Sequence, residues 1–521
     1  MTLTIQILVA ASLLLYARAG LVALRRPMSD FYAAGRLVPS IVNGMAIAVC
    51  LVPMLALTGF AGALSQGWDG ASLLVLGGGG GILLAAFFVV PYLRKFGGYT
   101  LPDFLAERFT EAGIRPLAVL AVILCSFPVL ALALLALGAI NMRVFASDAG
   151  TGIAAAVGML LLCSVVAGMR SASLSQIAQY AVLLTVSALV LAILVWQRDI
   201  VSPLPGAAEF DSVIANLKLE AWVPEDTVNR FALLLCLAAG IASLPLLLQR
   251  GVTTPSVEEA RNSFLWALPV TAALCLVAAP YVLLFGTPGL GETLSSGLLL
   301  TGALAACLAV ASGSAIAIAN ALSHDLYYKG LHRTASTEQR VLVARTAVVL
   351  VAGLAAWAAL SAPDAVSATT GSAFSLAASA FLPALLLGIW WKRATAQGAL
   401  AGMLAGLAVC LYYLLAPRYI PFAFYESSSF LSDAPPEAAA RYEALRQSYY
   451  LAEESTRAGA LAAWEEAARP LANWWGVKRD FAAIFAVPVG ALVMIGVSLF
   501  TPAPSRDVQS FVEDLRKPQP A

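Results

Sequence analysis

The stretch LAAGIASLPLLLQR, from Leu237 to Arg250, is an apolar run with helix breakers near its middle. Gly240 and Pro245 interrupt it, and a proline inside a helix removes a hydrogen-bond donor and clashes with the preceding turn. The carbonyl groups freed in this way need protein, water or an ion as partners, because lipid offers none. The stretch therefore predicts a membrane helix that breaks near the middle of the bilayer.

The composition of the whole chain supports a lipid environment. Of the 521 residues, 60% are hydrophobic and 12% are charged, and the mean hydropathy is +0.84, whereas a water-soluble domain needs more polar residues to cover its surface. The run AVLLTVSALVLAILVW, from Ala181 to Trp196, is nearly continuous rather than alternating, which favours spanning helices over a β-barrel. A formal net charge of +1 gives no reason to expect a nucleic-acid partner.

Thirteen segments are long and apolar enough to span a bilayer, which predicts an all-α integral membrane protein with about 13 transmembrane helices. They lie near residues 3–24, 39–64, 70–93, 115–141, 150–169, 174–197, 229–249, 263–287, 295–324, 340–361, 366–391, 397–416 and 481–501. Lysine and arginine concentrate in alternate loops. This bias predicts a multi-pass protein of the inner (plasma) membrane with its N-terminus outside and its C-terminus in the cytoplasm.

The longest polar stretch covers residues 417–480. Inside it, PPEAAARYEALRQSYYLAEESTRAGALAAWEEAARP, from Pro435 to Pro470, predicts an amphipathic helix. We interpret it as an extracellular cap, and a helix that lies on the membrane surface is the alternative.

The second predicted span carries interruptions like those of the seventh, at Gly44, Pro53 and Gly59. The two spans are five apart, and breaks at corresponding positions indicate inverted repeats with a solute site near the middle of the membrane. For each span alone, an ordinary proline kink is the alternative.

An ordered series of motifs resembles the sodium:solute symporters, and most closely their acetate-permease-like branch. The motifs are NGMAIAV at 43–49, GWDG at 67–70, RKFGGYTLPDFLAERF at 94–109, GMRSASLSQIAQY at 168–180, the spaced pattern LP…R..T.P.V..AR.S at 244–263, SHDLYY at 323–328, SLAASAFLPALLLGIWWKRATAQGALAGMLAGL at 375–407 and FVEDLRKP at 511–518. The resemblance implies a LeuT-type core of two five-helix inverted repeats. On this pattern, residues 1–38 form an N-terminal helix and the first cytoplasmic loop, 39–200 the first repeat, 201–394 the second repeat with its leading outer loop, and 395–521 two further helices with the loop 417–480 and a cytoplasmic tail.

In this family, sodium typically lies where the broken first core helix meets the eighth, held by backbone carbonyls and two adjacent hydroxyls. The corresponding positions here are Ala48, Leu51, Ala306, Ala309 and Val310, and the last two stand in place of the hydroxyl pair. Cys50 takes the place of an aspartate that the family usually offers. Because sodium prefers oxygen ligands, the side-chain part of the site is lost.

The coupling ion therefore stays open between sodium, a proton and none, and no other cofactor is expected. Ser312 and Ser314 are alternative oxygen donors, unless they are small residues that let helices pack. We interpret His324 and Asp325 as capping or gating groups at a helix end rather than as a proton relay. The family also tends to carry a histidine where this chain has Leu246.

The candidate solute-binding residues flank the two predicted breaks. They are Cys50, Pro53 and Met54 on the first core helix, which is the second predicted span, and Gly240 and Ser243 on the sixth core helix, which is the seventh predicted span. This small, apolar lining favours a short-chain monocarboxylate such as acetate over a sugar, which would need many hydroxyl partners. Three polar residues lie inside predicted spans: Gln176, Gln179 and Asn320. A functional role and an interhelical hydrogen bond are the two alternatives for each of them.

Two functions from different classes fit these observations. The first is secondary active transport of a small organic solute by alternating access, with the lipid bilayer, the solute and a small membrane subunit as partners. The second is a non-transporting membrane sensor or regulatory protein that kept the fold and lost ion coupling. An enzyme is not expected, because the chain contains only two histidines, His324 and His332, and no nucleophile–base pair or metal triad is evident.

Overall fold

The structure is a computed structural model that describes residues 2–21, 28–55, 67–110, 113–165, 168–198, 226–285 and 294–517. These residues form helices and turns and contain no β-strand. Up to residue 198 the helices are α1 (Thr2–Leu21), α2 (Met28–Ala33), α3 (Ser40–Leu55), α4 (Gly67–Phe88), α5 (Val90–Phe96), α6 (Leu101–Phe109), α7 (Ile114–Phe145), α8 (Ala149–Ser164) and α9 (Met169–Arg198).

The remaining helices begin at residue 227. They are α10 (Thr227–Ser243), α11 (Pro245–Leu248), α12 (Val257–Phe285), α13 (Leu294–Asn320), which continues as a π-helical segment (Ala321–Leu331), α14 (Thr337–Ser361), α15 (Pro363–Thr370), α16 (Ala373–Trp390), α17 (Ala396–Tyr419), α18 (Pro421–Ser428), α19 (Pro436–Leu451), α20 (Arg457–Ala468), α21 (Ala483–Phe500) and α22 (Arg506–Arg516).

Each of the thirteen predicted segments contains a helix. Within the described residues, nine helices are long and apolar enough to cross a membrane, and two bent pairs raise this number to eleven. The other two predicted spans correspond to α8, an apolar helix of 16 residues, and α12. An all-helical membrane fold is thus observed, and the total of thirteen spans stays a prediction.

Helix α13 lies at the centre of the bundle, where it packs against α3, α7, α9 and α14. It is buried along nearly its whole length, because alanine, glycine and serine dominate its sequence and let neighbouring helices approach closely. At Ala321 the helix widens into the π-helical segment, a geometry often found at functional sites. This segment carries the buried side chains of His324 and Asp325.

The break predicted in the seventh span is present. Helix α10 ends at Ser243, Leu244 adopts an extended conformation, and Pro245 begins α11, so that the axis turns by 44°. In the second span, α3 runs without interruption through Gly44 and Pro53 to Leu55. Gly59, the last of the predicted breakers there, lies outside the described residues.

The prediction of one amphipathic helix between Pro435 and Pro470 is wrong. The chain forms two helices, α19 and α20, which pack against each other and are separated by residues 452–456. Tyr442 and Trp464 are almost completely buried between them, with ring centroids 5.8 Å apart. A single straight helix could not bury both rings in this way, so the apolar contact between its halves favours the hairpin.

C-terminal to the two predicted repeats, α17 and α21 pack along each other. Glycines lie in this contact, so replacing one of them by a larger residue tests how closely the two helices pack. A Cβ atom at Gly402 would lie 2.6 Å from Met494 Cβ and 2.7 Å from the Gly490 carbonyl oxygen. We expect Gly402→Val to destabilise the protein by about 1–3 kcal/mol, because the helices must move apart. Gly353→Val is the matched control, since a Cβ there meets nothing within 4 Å. Equal apparent melting temperatures for the two variants would contradict this packing.

Candidate solute and ion site

The structure brings the first core helix to the central helix at Cys50 and Ala309. The Cys50 thiol on α3 donates a hydrogen bond to the Ala309 carbonyl oxygen on α13, with an S–O distance of 3.6 Å. Both residues are fully buried. The other positions that correspond to the family's sodium site, and the solute candidates on α3, are buried as well: Ala48, Leu51, Ala306, Val310, Pro53 and Met54. The α3–α13 junction is therefore closed and mostly apolar.

The Ala309 carbonyl oxygen is already saturated with donors. Gln176 Nε2 on α9 donates to it over 3.0 Å, and Ser312 Oγ donates to it over 3.0 Å as well. Gln176 Nε2 also lies 3.2 Å from Ser312 Oγ. Because a carbonyl oxygen has two lone pairs, three donors leave it no capacity for an ion. Gln176 thus makes the interhelical hydrogen bond that its position in the span suggested.

Beside this junction lies the guanidinium of Arg250, which is fully buried. Its Nη1 donates to Ser173 Oγ over 2.9 Å, and its Nη2 donates to Gln176 Oε1. The Cys50 side chain lies beside it. Within the described ranges no aspartate or glutamate lies within 4 Å of the guanidinium, and its Nε has no hydrogen-bond partner. Since arginine keeps its proton in proteins, the junction holds one uncompensated positive charge.

The break between α10 and α11 positions this arginine. The Arg250 carbonyl oxygen accepts a hydrogen bond from Asn43 Nδ2 on α3 over 2.8 Å, and Gln249 Nε2 donates to the Gly313 carbonyl oxygen over 3.1 Å. Leu246 packs against Gly313 so closely that a Cβ atom at this glycine would overlap with Leu246 Cδ1. The short helix is therefore held against both α3 and α13, and the guanidinium extends from its end into the junction.

The two solute candidates on α10 lie differently. The Ser243 hydroxyl donates to the Ala239 carbonyl oxygen over 2.7 Å, so it caps its own helix. Gly240 faces α16, where a Cβ atom would lie 2.6 Å from Phe374 Cβ. The structure thus joins Cys50 to Ala309, buries the other sodium-site positions, and places Gly240 in a helix–helix contact.

A second polar cluster, which we call the ion-pair cluster, contains Asp103, Arg115, His324, Asp325 and Arg340. Arg115 Nη1 lies 3.1 Å from Asp103 Oδ1 and 2.9 Å from Asp325 Oδ1. His324 Nε2 lies 3.3 Å from Asp103 Oδ2, and its Nδ1 lies 3.0 Å from Arg340 Nη2. Although burial opposes it, the hydrogen bond with His324 lowers the pKa of Asp103 to about 2. The cluster ties α6 and α7 to the π-helical segment.

The ion-pair cluster has the residue types of a metal site, but its ligand atoms already have partners. Asp103, His324 and Asp325 each bring one ligand atom within 4.8 Å of the others. Arg115 pairs with both carboxylates, and Thr100 Oγ1 donates to Asp325 Oδ2 over 2.6 Å. We therefore interpret the cluster as a structural link between helix ends, and the capping or gating role of His324 and Asp325 stays a prediction.

Sequence reasoning missed the two residues that dominate these sites. Neither Arg250 nor Arg115 was a predicted site residue, whereas the structure buries the first and pairs the second. A signal was present for Arg250, because it directly follows the apolar run that ends in LLLQ. Gln179 and Asn320 are buried, and no partner for either Gln179 amide atom or for Asn320 Oδ1 lies in the described part of the chain.

Comparison with known proteins confirms the resemblance. The model of the sodium:solute symporter family matches residues 31–292 and 285–406. An uncharacterized symporter of Cupriavidus necator is 28% identical, over 96% of this chain and 92% of the relative. The uncharacterized symporter YwcA of Bacillus subtilis is 31% identical, over 74% of this chain and 80% of the relative. A monocarboxylic acid transporter of Corynebacterium glutamicum is 26% identical, over 74% of this chain and 78% of the relative.

The fold is similar to that of a Na⁺-coupled sialic acid symporter solved in a substrate-bound, outward-open state. The TM-score is 0.66 at 16% identity, and the match covers 96% of this chain and 98% of the other. This similarity confirms the all-α, LeuT-type fold. The chain is therefore a multi-pass membrane symporter of a small solute, not an enzyme, and it belongs to the sodium:solute symporter family.

Proposed function

We propose that this symporter carries a short-chain monocarboxylate such as acetate across the plasma membrane by alternating access. In this proposal the N-terminus faces outward and the C-terminus lies in the cytoplasm, and Cys50, Pro53, Met54, Gly240 and Ser243 line or support the solute path. The relative from Corynebacterium glutamicum that is named a monocarboxylic acid transporter supports this solute class.

The observation that carries the proposal is the charge balance at the α3–α13 junction. The Arg250 guanidinium is fully buried, and no carboxylate from the described residues compensates it. Buried charges are normally paired, because an isolated ion in a medium of low dielectric is costly. A solute with one carboxylate supplies the missing negative charge. The Ser173 and Ser312 hydroxyls already donate to backbone carbonyl oxygens. A polyol would therefore give up hydrogen bonds with water that these groups do not replace.

Solute counterflow in proteoliposomes tests this function without any assumption about a coupling ion. Vesicles that contain the purified chain are loaded with unlabelled acetate and diluted into labelled acetate, well above the pKa of acetic acid so that little neutral acid crosses the lipid. We expect labelled acetate to accumulate transiently, and propionate to compete for it. Acetamide, which has the same shape but no charge, should not compete, because the guanidinium selects the carboxylate.

Three outcomes distinguish the alternatives. Competition by acetamide as strong as that by propionate would contradict recognition of the charge. Counterflow of an unrelated neutral solute would contradict the solute class. Saturable acetate binding to the detergent-solubilised chain without counterflow would favour a sensor on the symporter fold. As a control, vesicles without protein measure the leak of acetic acid through the lipid.

A further inference from the structure

The surroundings of the Arg250 guanidinium resemble those of a bound monovalent cation. Within the described residues they are neutral groups on two helices: Ser173 Oγ and Gln176 Oε1 on α9, which accept its hydrogen bonds, and the Cys50 side chain on α3, which lies beside it. Through Gln176, whose Nε2 donates to the Ala309 carbonyl oxygen, the guanidinium is also linked to α13. One positive charge thus connects the three helices that meet at this junction.

We propose that the Arg250 guanidinium is a permanently attached cation that replaces a dissociable one at the α3–α13 junction. It holds α3, α9 and α13 together through neutral dipoles, and it supplies the positive charge beside the solute path. The second part rests on the proposed function, whereas the first part does not depend on which solute is carried. The site therefore neither needs nor binds sodium.

Two features of the junction exclude a second cation. The Ala309 carbonyl oxygen already accepts hydrogen bonds from Gln176, Ser312 and Cys50, so an ion would have to break several of them. Only one amide side chain separates this oxygen from the guanidinium. For two unit charges about 6 Å apart in an effective dielectric of about 20, repulsion weakens binding on the order of 100-fold.

The short helix α11 couples this cation to the break in the seventh span. Arg250 directly follows Gln249, whose side chain is bonded to α13, and its own carbonyl oxygen is bonded to Asn43 on α3. A dissociable ion would leave the junction in every transport cycle, whereas the guanidinium can leave it only if α11 moves. The positive charge is thus kept in the protein throughout the cycle, and a sodium gradient does not drive transport.

Thermal melting of the purified chain in sodium chloride and in choline chloride tests the inference without any solute. We expect equal melting temperatures for the wild type in the two salts. The double variant Arg250→Gln/Cys50→Asp removes the attached cation and adds a carboxylate, so sodium should raise its melting temperature saturably by roughly 2 °C or more. Arg250→Lys keeps a cation and should show no response. Arg261→Glu, which changes the net charge by the same two units at a half-exposed position on α12, serves as the charge-matched control.

A saturable stabilisation of the wild type by sodium would overturn the inference. The same holds if the Arg250→Lys variant responds to sodium as strongly as the double variant does. If the double variant does not fold, binding of labelled sodium is measured for the wild type and for the Arg250→Gln single variant instead. Binding to the wild type but not to Arg250→Gln would overturn the inference. Absence of acetate counterflow together with absence of sodium binding would refute the proposed solute and leave the attached cation supported.

Discussion

Replacing Cys50 by aspartate should lower the apparent affinity for acetate at least about 30-fold. The new carboxylate would lie beside the Arg250 guanidinium, because the Cys50 side chain occupies that place in the wild type. Two opposite charges about 4 Å apart at an effective dielectric of about 20 attract by about 4 kcal/mol, so the solute must compete with an internal anion. Even half of this energy, about 2 kcal/mol, corresponds to a factor of about 30 in affinity.

Cys50→Ser is the matched control, because it changes the size and polarity of the side chain without adding a charge. It should keep the apparent affinity within a few-fold of wild type, and both variants should be compared by the concentration dependence of acetate counterflow. A melting temperature for Cys50→Asp at or above that of the wild type would show that the buried ion pair has formed. An aspartate variant that melts normally and transports acetate with unchanged affinity would refute the role of the buried charge.

The helices and the break in the seventh span could be predicted because local chemistry decides both. Long apolar runs must close their own backbone hydrogen bonds in lipid, and Pro245 cannot donate the bond that would continue α10. Both conclusions need only the residues of the segment itself. The family resemblance likewise rests on short motifs in their order along the chain, and the comparisons confirm it.

The candidate site could be predicted only in part, because its decisive contacts join distant parts of the chain. That Cys50 meets Ala309 followed from the family's pattern, but the hydrogen bond from Gln176 to Ala309 crosses 133 residues and has no local signature. Arg250 is the clearest example. An arginine next to a helix end is usually a loop charge. Its burial depends on the turn at Leu244 and on Ser173 and Gln176 of α9, which accept hydrogen bonds from its guanidinium.

The hairpin of α19 and α20 was missed for the opposite reason. The residues from Glu437 to Ala468 have a high local helix propensity, which favours one long helix over two. The interruption at residues 452–456 is stabilised by tertiary contact, since Trp464 packs against Tyr442 and Tyr449 across the hairpin. Propensity is a weak guide where two aromatic faces can bury each other.

The other large effect is expected at the ion-pair cluster, where Arg115→Met should destabilise the protein by about 3–5 kcal/mol. Asp325 is fully buried, and Arg115 is the cation that lies 2.9 Å from it. Removing one partner of a buried ion pair leaves a charge without compensation, which costs more than the pair itself contributes. The variant should also transport poorly, because α7 loses its ion pair with Asp325 on the π-helical segment of α13.

A double-mutant cycle separates this electrostatic effect from the loss of packing. Asp325→Asn removes the stranded charge, so the double variant Arg115→Met/Asp325→Asn should regain at least about half of the stability lost by Arg115→Met. The control is Arg261→Met, whose exposed pair with Glu258 should be worth no more than about 1 kcal/mol. Equal melting temperatures for Arg115→Met and Arg261→Met would show that Arg115 does not stabilise the Asp325 carboxylate. The cluster would then not hold these helix ends together.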